Sequence, residues 1–122
     1  MKNLILRCLI GSALLFLAAG VLAPQDSLRV PQFENDDVKV WKTTVMPHAP
    51  LALHRHDHAR VIIPIVGGTI KIQQESGAAE THRWEAGKAY WLTADPPIQL
   101  HVDIDGGEKP IEVMVVELKK SK

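Results

Sequence analysis

Cysteine is almost missing: Cys8 is the single one in 122 residues, so neither a disulfide framework nor a thiolate zinc cluster can be built. Charge of one sign is not in surplus either, with 14 Lys and Arg against 14 Asp and Glu. That balance excludes nucleic-acid binding of the kind that neutralises many phosphates. No uncharged run reaches the ~20 residues of a comfortable membrane span. After Asn35, no stretch repeats apolar residues at i, i+3, i+4 and i+7 over a helix length. A Gly-rich phosphate loop, a Ser-His-Asp order, a paired-carboxylate signature and internal repeats are all lacking. What remains is a globular composition, 46% hydrophobic and 23% charged, of a length that suits one domain. Against that background six histidines are the one excess.

The first 23 residues read as a secretory signal peptide. Lys2 and Arg7 form a positive start, Leu9 to Leu22 carries no charge, and small residues follow at Ala18, Gly20 and Ala23. Cleavage is expected after Gly20 or after Ala23. The mature chain would lack cysteine, which suits an oxidising compartment, and the expected location is periplasmic or secreted. No membrane attachment is expected once the signal is removed. Residues 24–37 are polar without a clear period and read as an N-terminal arm. Residues 119–122, with Lys119, Lys120 and Lys122, form a short basic tail.

Between the arm and the tail, strand signals recur at the short spacing of an all-β sandwich or barrel. Eight strands are expected. Val38 to Val45 opens the series, and Leu51 to His56 and Val61 to Val66 follow. Gly67-Gly68 is read as a hairpin turn into Thr69 to Gln73. Glu75-Ser76-Gly77 and Glu85-Ala86-Gly87 read as turns flanking Thr81 to Trp84. Ala89 to Leu92, Ile98 to Ile104 and Ile111 to Leu118 complete the set. Trp41, Trp84 and Trp91 read as core or rim aromatics, and His48 and His82 as turn or surface residues.

His54-Arg55-His56-Asp57-His58 spaces three imidazoles by two residues, so on a strand they share a face. Neutral imidazole is the commonest protein ligand for Zn, Cu, Fe and Ni. A cation held by such a pair still needs a ligand from elsewhere in the fold.

The wider spacing resembles the cupin family. His54-x-His56, three residues, Arg60, six residues and Gly67 match the first cupin motif, G-x5-H-x-H-x3-4-E-x6-G. His48 stands at the leading Gly and Arg60 at the Glu. Gly87, His101 and Asp105 resemble a degenerate second motif, G-x5-P-x-G-x2-H-x3-N. The resemblance spans residues 38–118. It implies a single-domain cupin, that is, a double-stranded β-helix or small jelly-roll barrel, with the edge-strand pairing into a homodimer seen in many small cupins. It also implies a divalent transition metal (Fe, Mn, Ni, Cu or Zn) on His54, His56 and His101, with His58 as a reserve ligand. Arg60 cannot ligate, because guanidinium has no free lone pair. Either a three-His site persists with open positions, or the metal has been lost. Arg60 could clamp a substrate carboxylate beside the ion, or pair with Asp57 or another acid on the rim.

His101 poses a conflict. Ile98, Leu100, Val102 and Ile104 alternate as an apolar set, which sends His101 outward, whereas the cupin register turns it inward. If inward, Asp103 could orient an imidazole. The function implied is a metal-dependent enzyme, dioxygenase-like, acting on a small anionic molecule. The alternatives are a non-catalytic module binding a small ligand or metal, and a metal-free barrel.

Overall fold

A computed structural model describes residues 26–120; the segment read as a signal peptide, residues 1–23, and the last two residues of the basic tail lie outside the described residues. Among the described residues there is no helix. Nine strands follow in order: β1 (Leu28–Glu34), β2 (Val38–Val45), β3 (Leu51–His54), β4 (Arg60–Val66), β5 (Gly68–Gln74), β6 (Ala79–Trp84), β7 (Tyr90–Leu92), β8 (His101–Asp105) and β9 (Ile111–Leu118). The strand beyond the eight expected is β1, inside the segment read as an arm. It is an edge strand with all seven residues exposed, so no buried face imposes a period on its sequence.

The strands form two antiparallel sheets, ordered β1-β2-β9-β4-β7 and β3-β8-β5-β6. Cross-strand partners share a face, so the registers Trp41↔Val115, Thr43↔Val113 and Val45↔Ile111 between β2 and β9 put one apolar set on the inner face. Ile62 of β4 joins it opposite Val115. The other sheet contributes Ile70 and Trp84, and these side chains make one core between the sheets. Ile70, Ile111 and Val45 are fully enclosed, each stabilising the fold by about 1.5–3 kcal/mol through removal from water. Trp91, in contrast, is exposed.

Three local expectations change. Gly67-Gly68 is not a hairpin turn, because β4 and β5 belong to different sheets and the chain crosses between them there. Neither glycine has a positive φ; close packing demands them. A Cβ on Gly67 would stand 2.4 Å from the Trp84 carbonyl oxygen, and one on Gly68 would stand 2.7 Å from Ile111 Cγ1. The strand expected from Ile98 begins only at His101. Pro96-Pro97 opens a turn closed by the Gln99 N–H on Pro96 O at 3.3 Å, and Ile98 sits there at φ 61°, 92% exposed. The turns ending at Gly77 and Gly87 form as expected, at φ 91° and 79°.

His48 adopts φ 61° and is exposed. It therefore holds the left-handed conformation that its aligned motif glycine would take without strain. Left-handed backbone costs a non-glycine residue about 1–2 kcal/mol, and a glycine's extra freedom in the unfolded chain returns about 0.4–1. His48→Gly is thus expected to raise stability by about 0.5 kcal/mol, measured by urea denaturation. In the tail, Lys119 pairs with Glu34 at 2.7 Å and Lys120 with Asp37 at 2.9 Å.

Candidate metal centre

His54 ends β3, and His56 lies two residues past that strand. Its inward placement comes from the segment after β7. The His56 N–H donates to Asp95 Oδ2 at 2.6 Å, and the Asp95 N–H donates to the His56 carbonyl at 2.9 Å. His101 opens β8, where the register places it opposite Gln74, with Asp103 opposite Ile72 and Asp105 opposite Ile70. Because Ile70 is buried, the 101, 103 and 105 set faces the interior, and the cupin register rather than the apolar alternation describes β8. Val102 and Ile104 on the other face are themselves half-buried, which is why alternation pointed the wrong way.

His54, His56 and His101 each bring one ring nitrogen within 4.8 Å of the other two. The ring centroids lie 5.1 Å apart for His54 and His56, 4.3 Å for His54 and His101, and 5.7 Å for His56 and His101. Nitrogens bound to one ion at about 2.1 Å are separated by no more than about 4.2 Å, so closure on an ion needs shifts on the order of an ångström or less. His58 is half-buried and stays outside this group, near enough to Glu117 to lower its pKa.

The donor set fits a metal. His54 Nδ1 bonds the Ala52 carbonyl at 2.6 Å, which requires the proton on Nδ1 and leaves the lone pair on Nε2. That Nε2 is buried without a hydrogen-bond partner. His56 Nδ1 donates to Glu117 Oε2 at 2.9 Å, and His101 Nδ1 lies 3.4 Å from Asp95 Oδ2. In each ring an acceptor thus faces Nδ1 and leaves Nε2 for a cation, the arrangement in which outer partners fix the orientation and basicity of ligating histidines. Burial also favours the neutral form of His54 and His101. It pushes His54 down to about 4, with Arg29 and His101 adding to the effect. It lowers His101 as well, against the pull of Asp95.

Arg60 occupies the place of the motif Glu and points inward, 4% exposed. It does not pair with Asp57, which binds Arg55 at 2.9 Å. Its Nη1 donates to the Thr93 carbonyl at 3.1 Å, and its Nη2 faces Asp95 Oδ1 at 3.7 Å. A second guanidinium arrives from the arm. Arg29 of β1 lies with its Cζ 5.5 Å from the Trp41 ring centroid, and the same ring stacks on His56 at 6.0 Å and 1°. Asp103 is desolvated enough that its carboxyl rises above the usual range despite the nearby histidines and arginines. For Glu117 burial acts upward, but the His56 hydrogen bond and the charges of His56, His58 and Arg60 outweigh it, and the carboxyl is lowered.

Arg29, Asp95 and Glu117 were not singled out from sequence. Glu117 left a signal, since it shares parity with the buried Ile111, Val113 and Val115 of β9, and a charged residue on an inward face asks for a partner. Arg29 and Asp95 left none: one sits on an edge strand, the other in a Pro-Pro loop. Glu117→Gln keeps the shape but presents a weaker acceptor to His56. It is expected to weaken metal binding about 10–100-fold, measured by competition with a chromophoric chelator.

Two cavities adjoin the centre, each of about 290 Å³. One is lined by Arg60, Gln74, His82, Asp95, Gln99 and His101. The other is bounded by Arg29, Lys39, Trp41, Arg55, His56 and Glu117. His82, expected at a turn or surface, is half-buried in β6 and contacts Glu80 at 3.3 Å.

No protein-family model and no curated protein matches the chain. Solved structures do. A cupin domain from Bordetella pertussis superimposes with TM-score 0.68 at 20% identity, covering 80% of this chain and 98% of that one. An RmlC-like cupin family protein with a double-stranded β-helix fold from Methanocaldococcus jannaschii gives 0.58 at 14% identity, covering 91% and 93%. An uncharacterised conserved protein with a double-stranded β-helix domain from Klebsiella pneumoniae gives 0.58 at 21%, covering 80% of each. At such identities the likeness shows the fold alone, an all-β, single-domain cupin fold.

Proposed function

We propose that this cupin-fold chain is an exported, metal-dependent protein. In this reading His54, His56 and His101 hold a divalent first-row transition metal, and a small anionic molecule binds beside it for oxygenase-type chemistry. The observation that carries the reading is the preset geometry of the three imidazoles, above all the buried, unpartnered Nε2 of His54. An ion held this way supplies Lewis acidity and, if redox-active, oxygen activation.

The protein's own groups explain the preference for an anion. Asp95, Asp103 and Glu117 surround the histidines together with Arg29 and Arg60, so the centre is slightly negative when empty and turns positive once a divalent cation is added. Lys39 and Arg55 add to the charge of Arg29 along one cavity, against the single acid Glu117, and an excess of one sign of charge in a cleft concentrates ligands of the other. The cavity volumes match a small molecule. Arg60, restrained by Thr93 and Asp95, is placed to orient a carboxylate rather than to move with it.

The second reading, a module that binds without catalysis, is favoured by Arg60 standing where the motif has Glu. Elemental analysis of the purified mature protein, followed by oxygen uptake with a panel of small carboxylates and thiols, separates the two. About one ion per chain with substrate-dependent oxygen uptake supports the enzyme. Ligand binding without uptake leaves the module, and failure to take up any metal removes both. N-terminal sequencing of the exported chain is expected to start at Val21 or Pro24; an intact Met1 overturns cleavage.

A further inference from the structure

We propose that Asp103 is a fourth, carboxylate ligand of this centre, supplied by β8 in place of the acid that Arg60 has displaced. The inference rests on the three-His reading and specifies which oxygen donor completes it.

Asp103 projects inward between Ile72 of β5 and Leu51 of β3, its register partners. Its two oxygens address the two imidazoles that approach most closely: Oδ2 lies 3.6 Å from His54 Nε2, and Oδ1 lies 3.6 Å from His101 Nε2. These are the nitrogens left free once Ala52 O and Asp95 have engaged the Nδ1 positions. With the His54 proton fixed on Nδ1, its Nε2 lone pair lies 3.6 Å from a carboxylate oxygen in a largely buried space, a pair of acceptors that one shared cation would bridge.

The other acids are already engaged. Asp95 Oδ2 accepts the His56 N–H, and Oδ1 faces Arg60; Glu117 Oε2 accepts His56 Nδ1. Asp103 alone of the three is turned toward Nε2 atoms. Its partners there also rule out the role of an orienting acceptor for the rings, because that role belongs to the Nδ1 side. Three nitrogens and one oxygen suit an ion of intermediate hardness, and the carboxylate offsets part of its charge.

The test titrates metal-free protein with Co²⁺ and follows its visible bands together with bound stoichiometry. Wild type is expected to bind one ion per chain. Asp103→Asn is expected to bind at least about 100-fold more weakly, beyond the 10–100-fold typical of outer partners, with an altered band shape at saturation. Asp103→Ala provides the same readout if Asp103→Asn does not fold. Wild-type affinity, or weaker affinity with an unchanged saturated spectrum, overturns Asp103 as a ligand while leaving the three-His centre. No Co²⁺ uptake by wild type overturns the centre itself.

Discussion

Replacement of His101 by Ala is expected to lower affinity for a divalent transition metal by more than about 100-fold, a larger effect than that of losing an outer partner, and to erase the metal's effect on stability. His54 and His56 come from one short segment, and two imidazoles alone do not enclose an ion. His101 supplies the third nitrogen from β8, across the β3–β8 pairing that sets His54 opposite it. A metal bound by all three ties these segments together in the folded state only. At a concentration a hundred times Kd, wild type should gain about 2.7 kcal/mol, a rise in Tm on the order of 10 °C for a domain of this size. His101→Ala should show almost none of that rise. Calorimetric scans with and without metal check both halves. An equal metal-induced rise in wild type and His101→Ala would place the binding elsewhere.

Gly67→Ala is expected to be the most damaging small substitution in the scaffold, costing about 3 kcal/mol or more, at the upper end of overpacking penalties. The new Cβ would meet the Trp84 carbonyl oxygen at 2.4 Å, Ala86 N at 3.0 Å and Glu85 Cα at 3.3 Å. All three are backbone atoms and cannot swing aside as the end of a side chain could. Against a typical total stability of about 5–15 kcal/mol, that loss would be large. Gly106→Ala is the control, since a Cβ there meets nothing within 4 Å and its φ is not positive; it should stay within about 0.5 kcal/mol of wild type. Urea unfolding of the two variants side by side decides the matter. Near-equal midpoints would contradict a close crossing at Gly67.

The two variants probe different levels of information. The sequence reads Gly67 as a hairpin-turn glycine, whereas the structure needs a glycine there for its missing side chain rather than for a positive φ. A hairpin and a crossing between sheets both call for glycine at that point. Only the strand pairing distinguishes them, because β4 pairs with β7 and β9 whereas β5 pairs with β6 and β8. His48 repeats the lesson in reverse. The sequence marked it as a departure from the motif, and the backbone there is left-handed although the residue is not glycine.

By itself the sequence determined what is local: an all-β chain, the turns at Gly77 and Gly87, and the shared parity of His54 and His56. These follow from backbone sterics and the two-residue period of a strand, which operate within a few residues. The tertiary structure decided what depends on who faces whom. It turned His101 inward although apolar alternation argued otherwise, brought Arg29 from an edge strand beside the histidines, and set Asp95 and Glu117 against His56. Both faces of a barrel strand are partly covered, so apolar pattern does not tell inside from outside. Which polar residues meet in the interior is settled by strand register, and register joins residues tens of positions apart.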